Sequence, residues 1–182
     1  MTRRLPAALL LLAALLIAFA EPAPAPTVKR PLALRALGPF ADLYASIEWI
    51  RFGVGRREGD WMRAIEHGEN ALRARPEDTD GWQLIASVLF ERTSPERTPD
   101  PDERLTWLRA ALELTRRGEE VARDPGSLAL LRALFLLRHA DVDADTRFPG
   151  GAEGARRAAL TSLERAVRLG DARASELLDA LR

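Results

Sequence analysis

Three aspartates at alternate positions, Asp141, Asp143 and Asp145, are the residues of this chain most suggestive of chemistry. A D-x-D-x-D run places three carboxylates around one cation in calcium-binding loops. The rest of that pattern is absent, because Thr146 stands where the turn glycine belongs and Glu153 falls one position past the bidentate ligand. We therefore expect a solvated acidic loop, with a metal (calcium) site on the three aspartates as the alternative.

No other residues form a pattern typical of catalysis. The two histidines, His67 and His139, lie on separate predicted helices and have no cysteine partners for zinc. The glycines between Gly53 and Gly59 superficially resemble a nucleotide-binding loop, but such a loop follows a strand and opens a βαβ unit, which is not predicted here. There is no nucleophile elbow either. The sequence therefore predicts no catalytic residue, no cofactor and no enzyme activity.

The first part of the chain has the pattern of an export signal. Arg3 and Arg4 precede an uncharged Leu/Ala run over residues 5–20, which ends in the small-x-small pattern that signal peptidase requires. Residues 1–20 are predicted to be a signal peptide or an N-terminal membrane anchor. Residues 21–31, rich in Pro and Ala, form a polyproline-like linker. Both interpretations place the rest of the protein outside the cytoplasm, either periplasmic or secreted, or membrane-anchored and facing outward.

The composition of the whole chain, in which residues 32–182 are predicted to form a TPR-like helical domain, excludes several classes of protein. Lys plus Arg and Asp plus Glu number 27 each, so no global charge attracts nucleic acid. Apolar residues make up 47% of the chain and charged residues 30%, a balance typical of a soluble globular domain. There is no cysteine, so neither disulfides nor a lipidated cysteine contributes.

The periodic segments after residue 32 all have helical spacing, which predicts an all-α fold. Helices are expected at about 40–57, 60–75, 79–92, 101–123, 127–140 and 152–169, with a short helix after Asp171. The first of these should end at Gly59. The predicted N-terminal caps include Asp60, Thr79 or Asp80, and Ser127, and Ala64 is expected at a helix crossing.

In the first helix, Leu43, Ile47, Ile50 and Val54 recur at helical spacing, typical of a core-facing stripe. Trp49 stands beside that stripe and is expected to face solvent or a partner. The other three tryptophans, Trp61, Trp82 and Trp107, are expected to pack in the core.

A five-residue motif that begins with Glu and ends with Arg recurs along these helices, at residues 69–73, 119–123 and 164–168. The central unit resembles the tetratricopeptide (TPR) family over residues 59–89. The residues that carry the resemblance are Gly59, Asp60, Trp61, Ala64, Ala71, Leu72, Pro76 and Trp82, followed by Ile85, Ala86 and Leu89. Later units depart further from the TPR pattern, since Glu113 and Glu120 stand where the family has alanine. Residues 163–178 are similar to Sel1-like repeats, which are relatives of the TPR. The resemblance implies an irregular TPR-like stack of about three helix pairs plus a C-terminal helix.

Proteins of this family are scaffolds for protein–protein interaction, so the resemblance implies that another protein or peptide is the partner, bound in a groove. The groove positions that it implies are Glu48, Phe52, Arg56, Asp80, Gln83, Ser87 and Phe90. Phe52 and Phe90 would be apolar anchors, unless the C-terminal helices fold back and cover Phe90. The alternatives are a calcium-dependent envelope protein or enzyme that uses residues 141–145, and a purely structural subunit with no open groove.

Overall fold

The computed structural model describes residues 40–142 and 147–181. These residues form seven helices and no strand, which confirms the all-α prediction for this part of the chain. The helices are α1 (Phe40–Glu58), α2 (Trp61–Ala74), α3 (Thr79–Glu91), α4 (Pro101–Glu119), α5 (Pro125–Val142), α6 (Gly151–Arg168) and α7 (Ala172–Ala180). The predicted signal or anchor at 1–20 and the linker at 21–31 lie outside the described residues.

Aspartates begin most of these helices. The Asp60 carboxylate accepts a hydrogen bond from the Arg63 backbone nitrogen at the start of α2, as the sequence predicted. At α3 the cap is Asp78, which accepts from the Gly81 nitrogen at 3.1 Å, and the prediction of Thr79 or Asp80 was wrong by a residue or two. The prediction for α5 was also wrong. Asp124 caps it in place of Ser127, because a proline follows at the first turn, where its missing N–H costs nothing.

Neighbouring helices in the sequence are neighbours in space. Helix α1 packs along α2, α3 along α4 and α5 along α6, while α7 packs on α6. Helices α2 and α3 contact each other, and α5 also contacts α3 and α4. The main core includes Phe52, Trp82, Ile85 and Leu108, and a smaller apolar cluster around Leu163 joins α5, α6 and α7.

Small residues set the distance between α1 and α2. Ala64 is completely buried, and a Cβ placed on Gly55 would lie only 3.1 Å from the Ala64 backbone nitrogen. This close approach confirms the expectation that Ala64 sits at a helix crossing. Gly59, with a φ of +78°, ends α1 in the left-handed conformation that glycine adopts freely, and the chain turns directly into α2.

The orientation of α1 differs from the sequence prediction. Its buried face carries Ala41, Ala45, Glu48, Phe52 and Gly55. The stripe that was expected to face the core points outward instead, and Trp49 is half-buried against the core. The reason is the close approach to α2, which small side chains allow and a row of large aliphatic side chains would prevent.

None of the described helices is both long enough and apolar enough to cross a bilayer.

Candidate functional site

A cleft of about 490 Å³ opens between the C-terminal half of α1, the start of α2 and the middle of α3. We call it the Trp61 cleft. It is lined by Trp49, Phe52, Gly53, Arg56, Arg57, Trp61 and Leu84. Its volume is within the range of ordinary ligand pockets, large enough for one or two side chains of a bound peptide.

Aromatic rings form the floor of the Trp61 cleft. The rings of Trp49 and Phe52 meet edge to face, with centroids 5.5 Å apart at an interplanar angle of 88°. Phe52 is buried in the core, whereas Trp49 and Trp61 are each only half-buried. Gly53 leaves the wall beside them open, since a Cβ there would have no heavy atom within 4 Å. The floor is therefore apolar, rigid and accessible.

Guanidinium groups surround Trp61. The Arg56 Cζ atom lies 5.8 Å from the Phe52 ring centroid and 5.9 Å from that of Trp61. Arg92 and Arg97 lie over Trp61 at 5.8 and 6.0 Å, and Arg92 also lies 5.8 Å from the Trp107 ring. Stacking on aromatic faces stabilises these cations without neutralising them.

The positive charge of the Trp61 cleft is largely unpaired. Arg97 forms an ion pair with Glu91 at 3.6 Å. In the part of the chain that the structure describes, Arg56, Arg57 and Arg92 form no ion pair with a carboxylate. An anionic group that enters the cleft would therefore meet guanidinium donors that are not already engaged.

Glu48, one of the implied groove positions, faces α2 and not the cleft. It is only 2% exposed, and its carboxylate contacts His67 Nδ1 at 2.7 Å and Arg51 Nη1 at 2.8 Å. Burial raises the pKa of Glu48, but the hydrogen bonds and positive charges of His67 and Arg51 outweigh it, and the pKa is lowered overall. A carboxylate–histidine pair is part of a catalytic triad, but among the described residues no hydroxyl hydrogen-bonds to His67. The pair therefore serves to join α1 to α2.

The implied groove positions on α3 lie mainly against α5. Gln83 donates a hydrogen bond to Ser127 Oγ at 2.9 Å, and Phe90 stacks on Phe135 with ring centroids 4.3 Å apart. Asp80 is exposed in the first turn of α3, and Ser87 is half-buried. The structure thus brings Phe52 and Arg56 together in the Trp61 cleft. It places Phe90 under a C-terminal helix, the arrangement that the sequence left open.

Phe90 also borders a second cleft, of about 320 Å³, near the loop after α3. His139 and Arg138 of α5 and Glu96 of the loop line its other side. His139 is buried, with its ring 6.4 Å from that of Phe148. The Trp61 cleft reaches Leu84 in the middle of α3, whereas the second cleft lies at the C-terminal end of that helix.

The aspartate run contributes no described metal site. Asp141 is exposed and forms an ion pair with Arg156 at 3.5 Å, whereas Asp143 and Asp145 lie outside the described residues. Over residues 40–142 and 147–181, no cluster of three or more His, Asp or Glu side chains is arranged to hold a metal ion.

Sequence reasoning missed a second buried carboxylate, Glu119 of α4. Its side chain contacts Arg132 of α5 at 2.8 Å and Arg165 of α6, and Arg132 Nε donates to Ser162 Oγ at 3.2 Å. Burial lowers the pKa of Arg132, and the charge of Glu119 partly opposes that effect. The only sequence signal for Glu119 is the recurring motif at residues 119–123, and that motif does not indicate that Arg132 and Arg165 are its partners.

Reasoning from the sequence also missed most of the Trp61 cleft. Trp61 was expected to be a core residue, and Arg57, Leu84, Arg92 and Arg97 carried no expectation at all. The assembled site offers an aromatic floor and unpaired guanidinium groups, which suit a ligand with an apolar side chain next to an acidic group. Comparisons of the chain with protein-family models, with curated proteins and with solved structures find no significant match.

Proposed function

We propose that this protein is an exported or membrane-tethered, TPR-like scaffold of the cell envelope that binds a segment of another protein. The succession of pairs α1–α2, α3–α4 and α5–α6, followed by α7, supports the TPR-like part of the proposal. The motif residues between Gly59 and Leu89 support it as well. The export part depends on the sequence of residues 1–20.

The observation that carries the binding proposal is the position of Arg56. It stands over the rings of both Phe52 and Trp61, and no carboxylate of the described residues pairs with it. The two rings stabilise the guanidinium by cation–π contact and leave its charge available to a ligand. Stacking orients the planar guanidinium so that its N–H edge can bind a carboxylate with two hydrogen bonds.

The chemistry of the Trp61 cleft defines the peptide that it would accept. Arg56, with Arg57 at the rim, favours Asp or Glu side chains or a terminal carboxylate. The rings of Trp49 and Trp61 favour an aromatic or aliphatic side chain next to that acid. The proposed ligand is therefore a short acidic segment with one large apolar residue, and the proposal includes no catalytic step.

Binding of a labelled peptide tests this proposal. The probe is a fluorescein-labelled hexapeptide, Glu-Asp-Phe-Glu-Asp-Leu, measured by fluorescence anisotropy against the purified protein. Arg56→Gln should weaken binding at least about tenfold, because a charge-assisted hydrogen bond is lost. Arg109→Gln, which changes an exposed arginine of α4 that does not line the cleft, should leave binding unchanged.

The neutral peptide Gln-Asn-Phe-Gln-Asn-Leu is the matched control ligand. Equal binding of the acidic and neutral peptides would show that the cleft does not recognise the negative charge of the ligand, and it would contradict the proposal. Equal loss in the Arg56→Gln and Arg109→Gln variants would contradict the assignment of the site. A purely structural subunit predicts that neither peptide binds.

A further inference from the structure

The outward face of α1 carries a row of large apolar side chains that nothing in the described structure covers. Phe40 is 60% exposed, Leu43 57%, Ile47 40% and Ile50 67%, and Val54 continues the row half-buried. We call these five residues the outer stripe. It is distinct from the Trp61 cleft, since none of its members lines that cleft.

The spacing within the outer stripe is that of a helix–helix seam. Its members follow one another at intervals of three, four, three and four residues, the a and d positions of a heptad repeat. Phe40, Ile47 and Val54 occupy one of these two positions, and Leu43 and Ile50 occupy the other. This period of 3.5 residues keeps a stripe facing a second helix along two heptads. A helix face that contacts only water does not require this spacing of apolar residues.

The inner face of α1 packs alanine, glycine and phenylalanine on α2, with the buried Glu48 among them. The helix thus has two faces with apolar residues, of which α2 covers one. The larger of its two apolar faces is the one left outside. Contiguous exposed apolar surface of this kind marks an interaction site.

The charges at the two ends of α1 indicate what covers the stripe. Asp42, near the N-terminal end, has a side chain that is 71% exposed and uses only its Oδ1 atom in a 3.4 Å ion pair with Arg75. Arg57, in the last turn, is exposed and forms no ion pair with any described carboxylate. At about 100° per residue the two lie on the same side of the outer stripe.

An acid at one end and a base at the other are complementary to the same helix running in the opposite direction. We propose that two copies of this chain associate through antiparallel packing of their α1 helices. Ile47 then lies opposite the partner's Ile50, and Leu43 lies opposite the partner's Val54. Asp42 comes within reach of the partner's Arg57. The interface is isologous, which means that both subunits contribute the same surface. Association therefore stops at a dimer.

A lipid surface fits this face less well. Membrane-surface helices are rich in Lys and Arg beside their apolar face, whereas α1 has the acid Asp42 at one end and Glu58 next to Arg57 at the other. Arg57 also lines the Trp61 cleft, but the helix pairing does not require a peptide to be bound there, so each proposal can fail without the other.

The molecular mass of the full-length chain in solution is the first test. Wild-type protein should sediment as a dimer, and Ile50→Glu should raise the dimer dissociation constant at least about tenfold by placing a charge in the seam. The matched control is Met62→Glu, at an apolar residue that is 71% exposed on α2 outside the stripe, which should remain dimeric. Circular dichroism should show the same helix content in all three proteins.

The second test uses the absence of cysteine from the chain. Leu43→Cys and Val54→Cys variants are oxidised separately and as a mixture, and the cross-linked peptides are identified by mass spectrometry. Antiparallel packing predicts a disulfide between positions 43 and 54 that forms only in the mixture. Efficient cross-linking of each variant with itself would indicate parallel packing and overturn the proposal.

Other occupants of the stripe give different results. A monomeric wild-type protein at about 100 μM would overturn the proposal, whether residues 1–39 or another protein covers α1. Flotation of wild-type protein, but not Ile50→Glu, with anionic lipid vesicles would show that lipid is the occupant and would also overturn it.

Discussion

Two buried glutamates stabilise the N-terminal and C-terminal parts of this domain, and their partners differ. Glu48 of α1 binds His67 of α2 and Arg51 of its own helix. Glu119 of α4 binds Arg132 of α5 and Arg165 of α6. The first carboxylate thus joins two consecutive helices, whereas the second joins three, and its partner Arg165 lies 46 residues further along the chain.

The nature of the partners adds a second difference. The contact between His67 and Glu48 is an ion pair only while the imidazole is protonated. Arg51 is a flexible surface side chain whose loss would leave that contact intact. Arginine, by contrast, keeps its charge at every pH at which proteins fold. We call the contacts of Glu48 the N-terminal joint and those of Glu119 the C-terminal joint. The stability of the C-terminal joint should therefore depend more heavily on its carboxylate, and less on pH, than the stability of the N-terminal joint.

The largest effect is expected from Glu119→Ala. This change leaves the half-buried Arg132 without its counter-ion, and removal of one partner of a buried pair costs about 3–5 kcal/mol. Urea denaturation of wild-type and variant proteins measures the loss in the free energy of unfolding. The control is Glu120→Ala, which removes an exposed ion pair with Arg116 and should cost less than about 1 kcal/mol. Equal losses in the two variants would show that Glu119 is not a joint.

A smaller effect is expected from Glu48→Gln. The amide retains the shape of the side chain and one acceptor oxygen, so the change removes the charge from the hydrogen bonds to His67 and Arg51. Hydrogen bonds to charged groups contribute about 1.5–3 kcal/mol, and the loss of unfolding free energy should be near the lower figure. Glu58→Gln, an exposed change on the same helix, is the reference. A loss greater than that of Glu119→Ala would reverse the ranking of the two joints.

The smallest effect concerns pH. Because the pKa of Glu48 is lowered by folding, its contribution is fully present above its ordinary value of 4.5 and is lost as the pH falls through the lower value in the folded state. The difference in unfolding free energy between wild type and Glu48→Gln should therefore shrink as the pH falls below about 4.5. A difference that grew in that acid range would have the wrong sign and would exclude the proposed role of the carboxylate.

Local features of the fold could be predicted from the sequence. The aspartate cap at Asp60, the glycine turn at Gly59 and the close helix crossing at Ala64 depend on residues near one another in the chain. Their structures follow from capping, backbone freedom and side-chain size. The caps of α3 and α5 were predicted at the wrong residues. Several adjacent polar side chains could cap each of these helices, and the sequence does not show which one has the geometry to do so.

Features that depend on distant residues could not be predicted. Helical periodicity identified the row of large apolar residues on α1 and assigned it to the core, whereas the face with the smaller residues packs on α2. The joint at Glu119 requires Arg165, from another pair of helices. Arg92 and Arg97, near the Trp61 cleft, reach the Trp61 ring only after α3 has packed beside α2. The periodicity of apolar residues within one helix carries no information about contacts between side chains of different helices.

The placement of the tryptophans has a spectroscopic consequence. All four, Trp49, Trp61, Trp82 and Trp107, lie on α1 to α4, and the only one that is fully buried, Trp82, donates its indole N–H to the Pro76 carbonyl at 2.8 Å. Helices α5 to α7 contain none. Intrinsic fluorescence therefore reports on α1 to α4, including the end of α4, where the Trp82 ring lies close to Gly118. The far-ultraviolet signal also reports on α5 to α7. If α5 to α7 unfold at a different denaturant concentration from the rest of the domain, the two signals will change at different midpoints.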